Sequence, residues 1–455
     1  MKKKIAKTEL LAPAGSQEKM KYAFAYGADA VYAGVPDFSM RRRINSFDEK
    51  SLAEAIKYAH KLGKKFYVTL NIYAHNIHIE KIEKHLKFLK KAKPDAVIVS
   101  DPGIIMLVKK YLPQMEIHLS TQANATNWQA VKFWHDLGVK RIVLAREVTL
   151  SEIKEIKKRV PEAELEYFVH GAMCMSYSGR CLLSKWMKNR SANLGDCVQP
   201  CRWKYKSRNS QLITRNDILL TSVEDEKEEF EINLEEDKHG TYFFNSKDLN
   251  LLNYLNELKN AGVDSFKIEG RNKSVYYLAI VLRAYRKVLD TIETPVKSAK
   301  GGPATQEFNG VHLVKSANSG AEQFNRVKKI IKEQQKELKN LFHRGYTSGF
   351  LLEKEPEHNF VDSHQKATHQ FVGEIVGQEK KLLRIKPHNA IYLKDKLEII
   401  TPKNNFSIKI RKIFNKNKKE AKSAHGGETG FSYLQAVDNS KLAKIGEFTL
   451  IRKKI

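Results

Sequence analysis

Residues 116–171 read EIHLSTQANATNWQAVKFWHDLGVKRIVLAREVTLSEIKEIKKRVPEAELEYFVHG. Three short apolar runs, EIHLSTQ, RIVLAREV and ELEYFVHG, are separated by helical segments, and Gly138 stands where the first of these stops. Short β-rich runs alternating with amphipathic helices that close on glycine describe βα units, and βα units build parallel sheets. The same alternation extends from Glu9 to about residue 290, through ELLAPA, AVYAG, KFYVTLNI and AVIVSD upstream and SFKIEG downstream. Gly27, Gly63 and Gly262 sit at further helix ends. Eight such units predict an α/β fold, a (β/α)8 TIM-like barrel over residues 1–293. A doubly wound open sheet is the alternative. No G-x-G-x-x-G follows a strand, so a dinucleotide site has no support.

The last of the quoted runs leads into EYFVHGAMCMSYSGRCLLSKWMKNRSANLGDCVQPCRW, residues 166–203, which holds all four cysteines of the chain. Cys174, Cys181, Cys197 and Cys201 are spaced C-x6-C-x15-C-x3-C. Clustering of this kind asks for one centre that four thiolates bind. Disulfides do not suit a chain with no sign of an oxidising compartment, and inert thiols give no reason to cluster. Structural zinc is the competitor, although a six-residue first spacing is long for it. A cubane iron–sulfur cluster takes four thiolates at more variable spacing. Spacing leaves both metals open.

Glu166-x-Phe168-x2-Gly171-Ala172-Met173-Cys174-x4-Gly179-x-Cys181-x-Leu183-Ser184 resembles the signature of the collagenase-like peptidase family U32. Within it, FVHGAMCMSYSGRCLLS followed by CVQPCRW is most similar to the branch of prephenate-dependent tRNA uridine(34) hydroxylases. The resemblance implies a 4Fe–4S cluster on the four cysteines and hydroxylation at C5 of the wobble uridine. It further implies prephenate as co-substrate, the tRNA anticodon region as partner, and no need for molecular oxygen. HGTYFFNSKDLNLL, with Asn245, Ser246 and Lys247, DSFKIEGRNKSVYYLAIVLRAYRKVLD and LFHRGYTSGF continue the similarity, whereas residues 299–330 match nothing in it.

Composition bounds the partners. Lys and Arg outnumber Asp and Glu by 80 to 52, a formal +28, and 42% hydrophobic content suffices for a core in two or three domains. Such an excess suits a polyanion, because each phosphate neutralised releases counterions; a general lysine bias of the proteome is the plain alternative. No run approaches the roughly 18 apolar residues of a membrane span. Glu9 and Pro13 interrupt the apolar start, so no signal peptide is expected, and the chain reads as soluble and cytoplasmic.

In such barrels chemistry sits at the carboxyl ends of the strands. Polar residues stop the runs there: Asn71, Ser100, Asp101, Ser120, Gln122, Asn124, Arg146, Glu147 and His170. Loops facing water explain most of these one by one. They explain less well why Lys267, Glu269 and Arg271 alternate along one short strand. Arg41 and Arg43, in PDFSMRRRINSF, form either a solvated basic turn or a clamp for carboxylate or phosphate. The reading assigns Arg41, Arg43, Lys267 and Arg271 to anions, and His170, Glu269 and Lys267 to proton handling. A thiol protease would pair Cys with His, but thiols committed to a metal leave no nucleophile, and no G-x-S-x-G or H-E-x-x-H occurs. A collagenase-like peptidase and a non-catalytic RNA-binding protein with structural zinc are the rival readings.

Downstream, the acidic run of residues 224–237 reads as a solvated hairpin or loop, and residues 294–365 as a linker with a basic helix. Tyr276, Tyr277 and Tyr285 read as packing residues. Residues 366–455 alternate short β-like runs, which predicts a small all-β barrel. They carry 20 Lys or Arg against 8 Asp or Glu, a charge that fits an RNA-holding module. Phe406 and Phe414 read as core before base-stacking, and KNKKEAK as a hairpin tip touching phosphate.

Overall fold

Eight apolar runs become eight parallel strands because each is buried on both faces, which removes the alternation a half-solvated strand would show. β1 (Glu9–Pro13), β2 (Ala30–Ala33), β3 (Lys65–Leu70), β4 (Ala96–Val99), β5 (Glu116–Leu119), β6 (Arg141–Val143), β7 (Glu164–Ala172) and β8 (Ser265–Ile268) pair in that order. β8 lies between β7 and β1, with Lys267 opposite Phe168 on one side and Leu11 on the other, so the sheet closes. The (β/α)8 barrel is therefore present, and the open sheet is not. The structure is a computed structural model that describes residues 7–39, 46–174, 176–177, 181–188, 190, 192, 197–198, 200–202, 205–207, 218–222, 232–234, 246–294, 303–308, 311–316, 319–353, 367–426, 430–438, 440 and 445–455. Among them no helix is long and apolar enough to cross a membrane.

The chain divides into two units, one of residues 1–17, 29–272 and 343–365, the other of residues 18–28, 273–342 and 366–455. In the first, Leu11, Tyr32, Tyr67 and Ile98 cluster with Ala30 and Ala96 inside the barrel, while their strand neighbours Leu10, Val31, Phe66 and Val97 turn outward and are equally buried. After α1 (Gln17–Ala25) and with α3 (Asn76–Ala92) between them, the helices α2 (Glu49–Lys61), α4 (Pro102–Tyr111), α5 (Trp128–Asp136) and α6 (Leu150–Arg159) start where the sequence supplies side-chain caps. Asp48 accepts from the backbone N–H of Ser51 at 2.7 Å, Thr149 and Glu152 form a capping box, and Asp101 caps α4 ahead of Pro102. Asp101 thus ends its strand as a helix cap.

β7 runs past the barrel. Its last residues pair antiparallel with Asp248–Asn250, which in turn lies parallel to Tyr346–Thr347. Part of the stretch read as linker and helix therefore belongs to the barrel unit, tied by the buried ion pair of Arg344 with Asp248 and by the Leu150 N–H to the Leu351 carbonyl. Residues 303–308 and 311–316 pair as an antiparallel hairpin where the sequence reads as linker. Val311, Leu313 and Val314 give VHLVKS a strand-forming composition that outweighs the flanking Pro and Gly. Of the acidic run only residues 232–234, a strand paired with Ile218–Ser222, are described.

α8 (Leu255–Asn260) closes the helices of the first unit; in the second, α9 (Val275–Glu293) buries Tyr276, Tyr277 and Tyr285, and α10 (Ser319–Leu338) follows as the basic helix. The tail forms an eight-stranded antiparallel sheet from residue 369 onward. Val372, Leu383, Leu397, Ile408, Ile413 and Ile451 come from strands spread across that sheet yet share one core, which requires the sheet to curl on itself. Phe406 packs against this core. Residues 415–419 close the hairpin of Ile410–Phe414 with Glu420–Ala421, Lys418 having a left-handed φ of 59°. Arg452, 1% exposed, donates to Glu398 at 2.7 Å and to Glu337 at 3.1 Å.

One glycine is required by the barrel's closure. Gly171 has φ +118°, and a Cβ there would lie 2.7 Å from the Glu269 carbonyl oxygen and 2.8 Å from its Cβ. Gly171→Ala should cost about 1–3 kcal/mol in urea unfolding, from left-handed strain and forced separation of β7 from β8. An unchanged midpoint would mean that the two strands approach less closely than described.

Candidate functional site

The carboxyl ends of the strands surround a cavity of about 190 Å3. One wall is built by Tyr32, Thr69, Asn71, Ile98, Ser120, Thr121, Gln122, Arg146, Phe168, Lys267, Glu269 and Arg271. Cys174, Cys181, Cys197 and Cys201 line the same cavity, with Met173, Tyr177, Leu183 and Pro200. The residues read as alternating on one face, Lys267, Glu269 and Arg271, do share that face and are all buried.

The floor is ionic. Lys267 Nζ donates to Glu166 Oε1 at 2.6 Å and lies 4.5 Å from the Tyr32 ring centre. Arg141 pairs with Glu166 at 3.3 Å, Glu9 at 2.6 Å and Glu164 at 2.9 Å. Glu9 also accepts from Tyr67 Oη at 2.6 Å and Ser265 Oγ at 3.0 Å. Burial opposes the charged form of Glu166, but Lys267 and Arg141 outweigh it and hold the carboxyl below its ordinary pKa. Burial is the larger effect on Lys267, which loses its proton more readily than an exposed lysine although Glu166 opposes the shift. His118 beside this network is held neutral by burial. Above the floor, Arg271 Nη1 donates to Ser39 Oγ at 2.6 Å, and the Arg146 guanidinium stacks 4.0 Å from the Phe168 ring centre.

The cysteine segment folds locally around α7 (Leu183–Lys188). Ser184 Oγ accepts from the Val198 N–H at 3.1 Å, which fixes the chain entering Cys201 beside the helix that follows Cys181. None of the four thiols is in a disulfide. The Cys174 S–H donates to Cys181, which lowers the Cys181 thiol and pushes Cys174 up. Four reduced thiols on one wall suit a thiolate-bound inorganic centre by chemistry. Among the described residues, however, no three of His, Cys, Asp or Glu are set closely enough to hold a single metal ion.

Other residues singled out in the sequence fall elsewhere. His170 is buried off the cavity wall, its ring 5.7 Å from that of Tyr346. A register shift between β7 and β8 falls here, with Phe168 on the wall before it and His170 off the wall after it. Ser100, Asn124 and Glu147 also lie off the wall. Arg41, Arg43 and Asn245 lie outside the described residues, and Ser246 is buried. The ionic floor was not foreseen as a unit. Its signal was present as Glu9, Arg141 and Glu166, charged residues inside otherwise apolar strands.

The profile of peptidase family U32 matches residues 15–360, and that of the family's C-terminal domain matches residues 367–452. The tRNA hydroxylation protein P of Haemophilus influenzae is 40% identical over 470 aligned positions, covering 96% of this chain and 95% of the relative. The 23S rRNA 5-hydroxycytidine C2501 synthase of Escherichia coli is 37% identical over 62% of this chain and 39% of its own length. A collagenase of Porphyromonas gingivalis is 31% identical over 62% of this chain and 65% of its own.

Glu166→Gln removes the charge that Lys267 and Arg141 share, and should destabilise the fold by about 3–5 kcal/mol at neutral pH, because buried Lys267 loses its carboxylate partner while Arg141 keeps Glu9 and Glu164. Since the folded carboxyl titrates below its ordinary 4.5, its stabilisation is complete above that pH and is lost as the pH falls toward the lower folded value. Denaturant titrations at stepped pH should show a shallower acid limb in the variant than in the parent. Parallel limbs would show that Glu166 holds no charge in the fold.

Proposed function

This chain belongs to peptidase family U32, and from that premise we propose that it hydroxylates RNA, adding a hydroxyl at C5 of the wobble uridine of tRNA. The observation that carries the reading is the meeting of four reduced cysteines with Lys267, Glu269 and Arg271 on one cavity at the barrel mouth. A relative named for tRNA hydroxylation, matched along nearly its whole length and this chain's, supports it. The positive balance of +28 fits a tRNA partner.

The four thiolates are read as holding a 4Fe–4S cluster. A cubane keeps its sulfur ligands farther apart than one zinc ion does, in keeping with thiols that share a wall without converging on one point. When bound, such a cluster supplies redox or Lewis-acid chemistry at the mouth. Lys267 and Arg271, with Arg146 nearby, are cations suited to the two carboxylates of prephenate, the proposed co-substrate. Glu269 faces the same space and is read as the residue that holds or releases a proton. An anticodon loop offers an unstacked base able to enter such a pocket. With no molecular oxygen invoked, prephenate is assigned as the source of the hydroxyl and the two-electron acceptor, its C–OH becoming C–H as the uracil C5–H becomes C–OH.

The peptidase reading has less support at this site. A thiol protease needs an imidazole beside its thiol, and among the described residues no histidine lines the cavity. Nucleoside mass spectrometry on tRNA from a deletion strain tests the proposal. Nucleosides derived from 5-hydroxyuridine should disappear, return with the intact gene, and stay absent with Cys174→Ser. Anaerobically purified protein should hold about four iron and about four sulfide per chain. Cleavage of denatured collagen without any change in tRNA would replace this reading with the peptidase.

A further inference from the structure

We propose that Gln122 reads the base: its side-chain amide N–H2 donates to the C4 carbonyl oxygen of a uracil ring and so selects uridine over cytidine. This rests on the RNA-hydroxylation reading and adds to it the group that discriminates between pyrimidines. Gln122 lies in the short turn Thr121–Ala123 after β5, is 8% exposed, and lines the cavity. The oxygen end of its amide is already committed, since Ser120 Oγ donates to Gln122 Oε1 at 3.1 Å.

The other partners of that hydroxyl fix the direction of the bond. Ser120 Oγ accepts from Asn71 Nδ2 and from the backbone N–H of Gln122, both at 3.4 Å. These two donors occupy its two lone pairs, so its single proton must go to Oε1. Nε2 is thereby held at the other end of the amide. It is buried and, among the described residues, has no hydrogen-bond partner. Buried donors in native structures are almost always satisfied, so one left open on a cavity wall is reserved for a bound acceptor.

Two kinds of acceptor enter the proposed site, a carboxylate and a base carbonyl. Lys267, Arg271 and Arg146 already supply charge for carboxylates, and guanidinium and ammonium groups bind them better than a neutral amide does. A neutral, fixed N–H2 pairs best with a neutral carbonyl. Uracil presents an acceptor at C4 where cytosine presents an amino donor. With the amide unable to turn over, cytosine would bring donor against donor and strand both. A base drawn out of its stack is read by hydrogen bonds of this kind along its edge.

The test uses the purified holoprotein and two anticodon stem-loops that differ only in U or C at the wobble position, with binding followed by fluorescence anisotropy. Nucleoside mass spectrometry on tRNA from cells expressing each variant follows the reaction. The parent should prefer the U loop. Gln122→Met should lower that preference about ten- to hundredfold, the range a single good base contact spans. Gln122→Glu, which puts an acceptor in place of the donor, should shift preference toward the C loop. Ser120→Ala leaves Gln122 in place but frees its amide to rotate, and should also reduce the preference; it carries the test if Gln122→Met does not fold. A U-over-C preference unchanged in the folded variants would overturn the proposal. So would a Gln122→Met effect confined to the concentration of prephenate required. A parent that prefers the U loop but hydroxylates no tRNA would sink the reaction and leave the assignment of Gln122 standing.

Discussion

Four charged side chains inside the barrel, Glu166, Lys267, Arg141 and Glu9, are the constraint on which the site depends. Barrel interiors of this class are ordinarily filled by layers of branched apolar residues. Here the apolar layer of Leu11, Tyr32, Tyr67 and Ile98 shares the interior with two carboxylates and two cations. Charges this deep persist only as a set, because desolvating any one alone costs far more than its partner returns. Glu166 accepts from Lys267 and Arg141 together, and Arg141 spans to Glu9, so β1, β6, β7 and β8 are linked by one network. Its chemical consequence lies above it. Lys267 is held by Glu166 from below and bounded by the Tyr32 and Phe168 rings, so its ammonium faces the cavity in one place.

The cavity divides its donors by chemistry. Cations stand at the ends of β6 and β8 as Arg146, Lys267 and Arg271, while neutral hydrogen-bonding groups stand at the ends of β3 and β5 as Asn71, Ser120 and Gln122. The thiols come from the excursion after β7. A reaction that brings together an acidic small molecule and a neutral base needs such a division, since each partner must find its own side without competing for the other's contacts. Gly171 lets β7 pass close enough to Glu269 for the thiol segment and the cation strand to adjoin.

Much of this was legible in the residues, and the rest was hidden for identifiable reasons. Eight runs buried on two faces announce a parallel barrel because continuous apolar strands have few other uses. Lys267, Glu269 and Arg271 all reach the cavity, but β8 ends at Ile268, so the turn that follows the strand places the last two. His170 was harder to place: its ring lies beside that of Tyr346 at a shift in register, and nothing in the pattern FVHG announces that shift. Asp101 looked like a mouth residue and is a helix cap, two roles that share a position at the end of a strand. The joining of Asp248–Asn250 to Tyr346–Thr347 links segments about a hundred residues apart through two short strands, and periodicity cannot see pairing at that range.

Relatives named for tRNA hydroxylation, for synthesis of an rRNA 5-hydroxycytidine and as a collagenase all align with this chain. A fold shared by enzymes acting on different polymers cannot itself set the substrate. Glu166 and Lys267 secure strands against one another, so their first effect is on whether a cavity exists. Gln122 and Arg146 sit on turns after the strands, where a change alters what the cavity accepts while leaving the barrel beneath it intact. On the proposed reading, choice of base and choice of acid should therefore vary with the turns after β5 and β6, and the capacity for chemistry with the thiol segment and the floor under it.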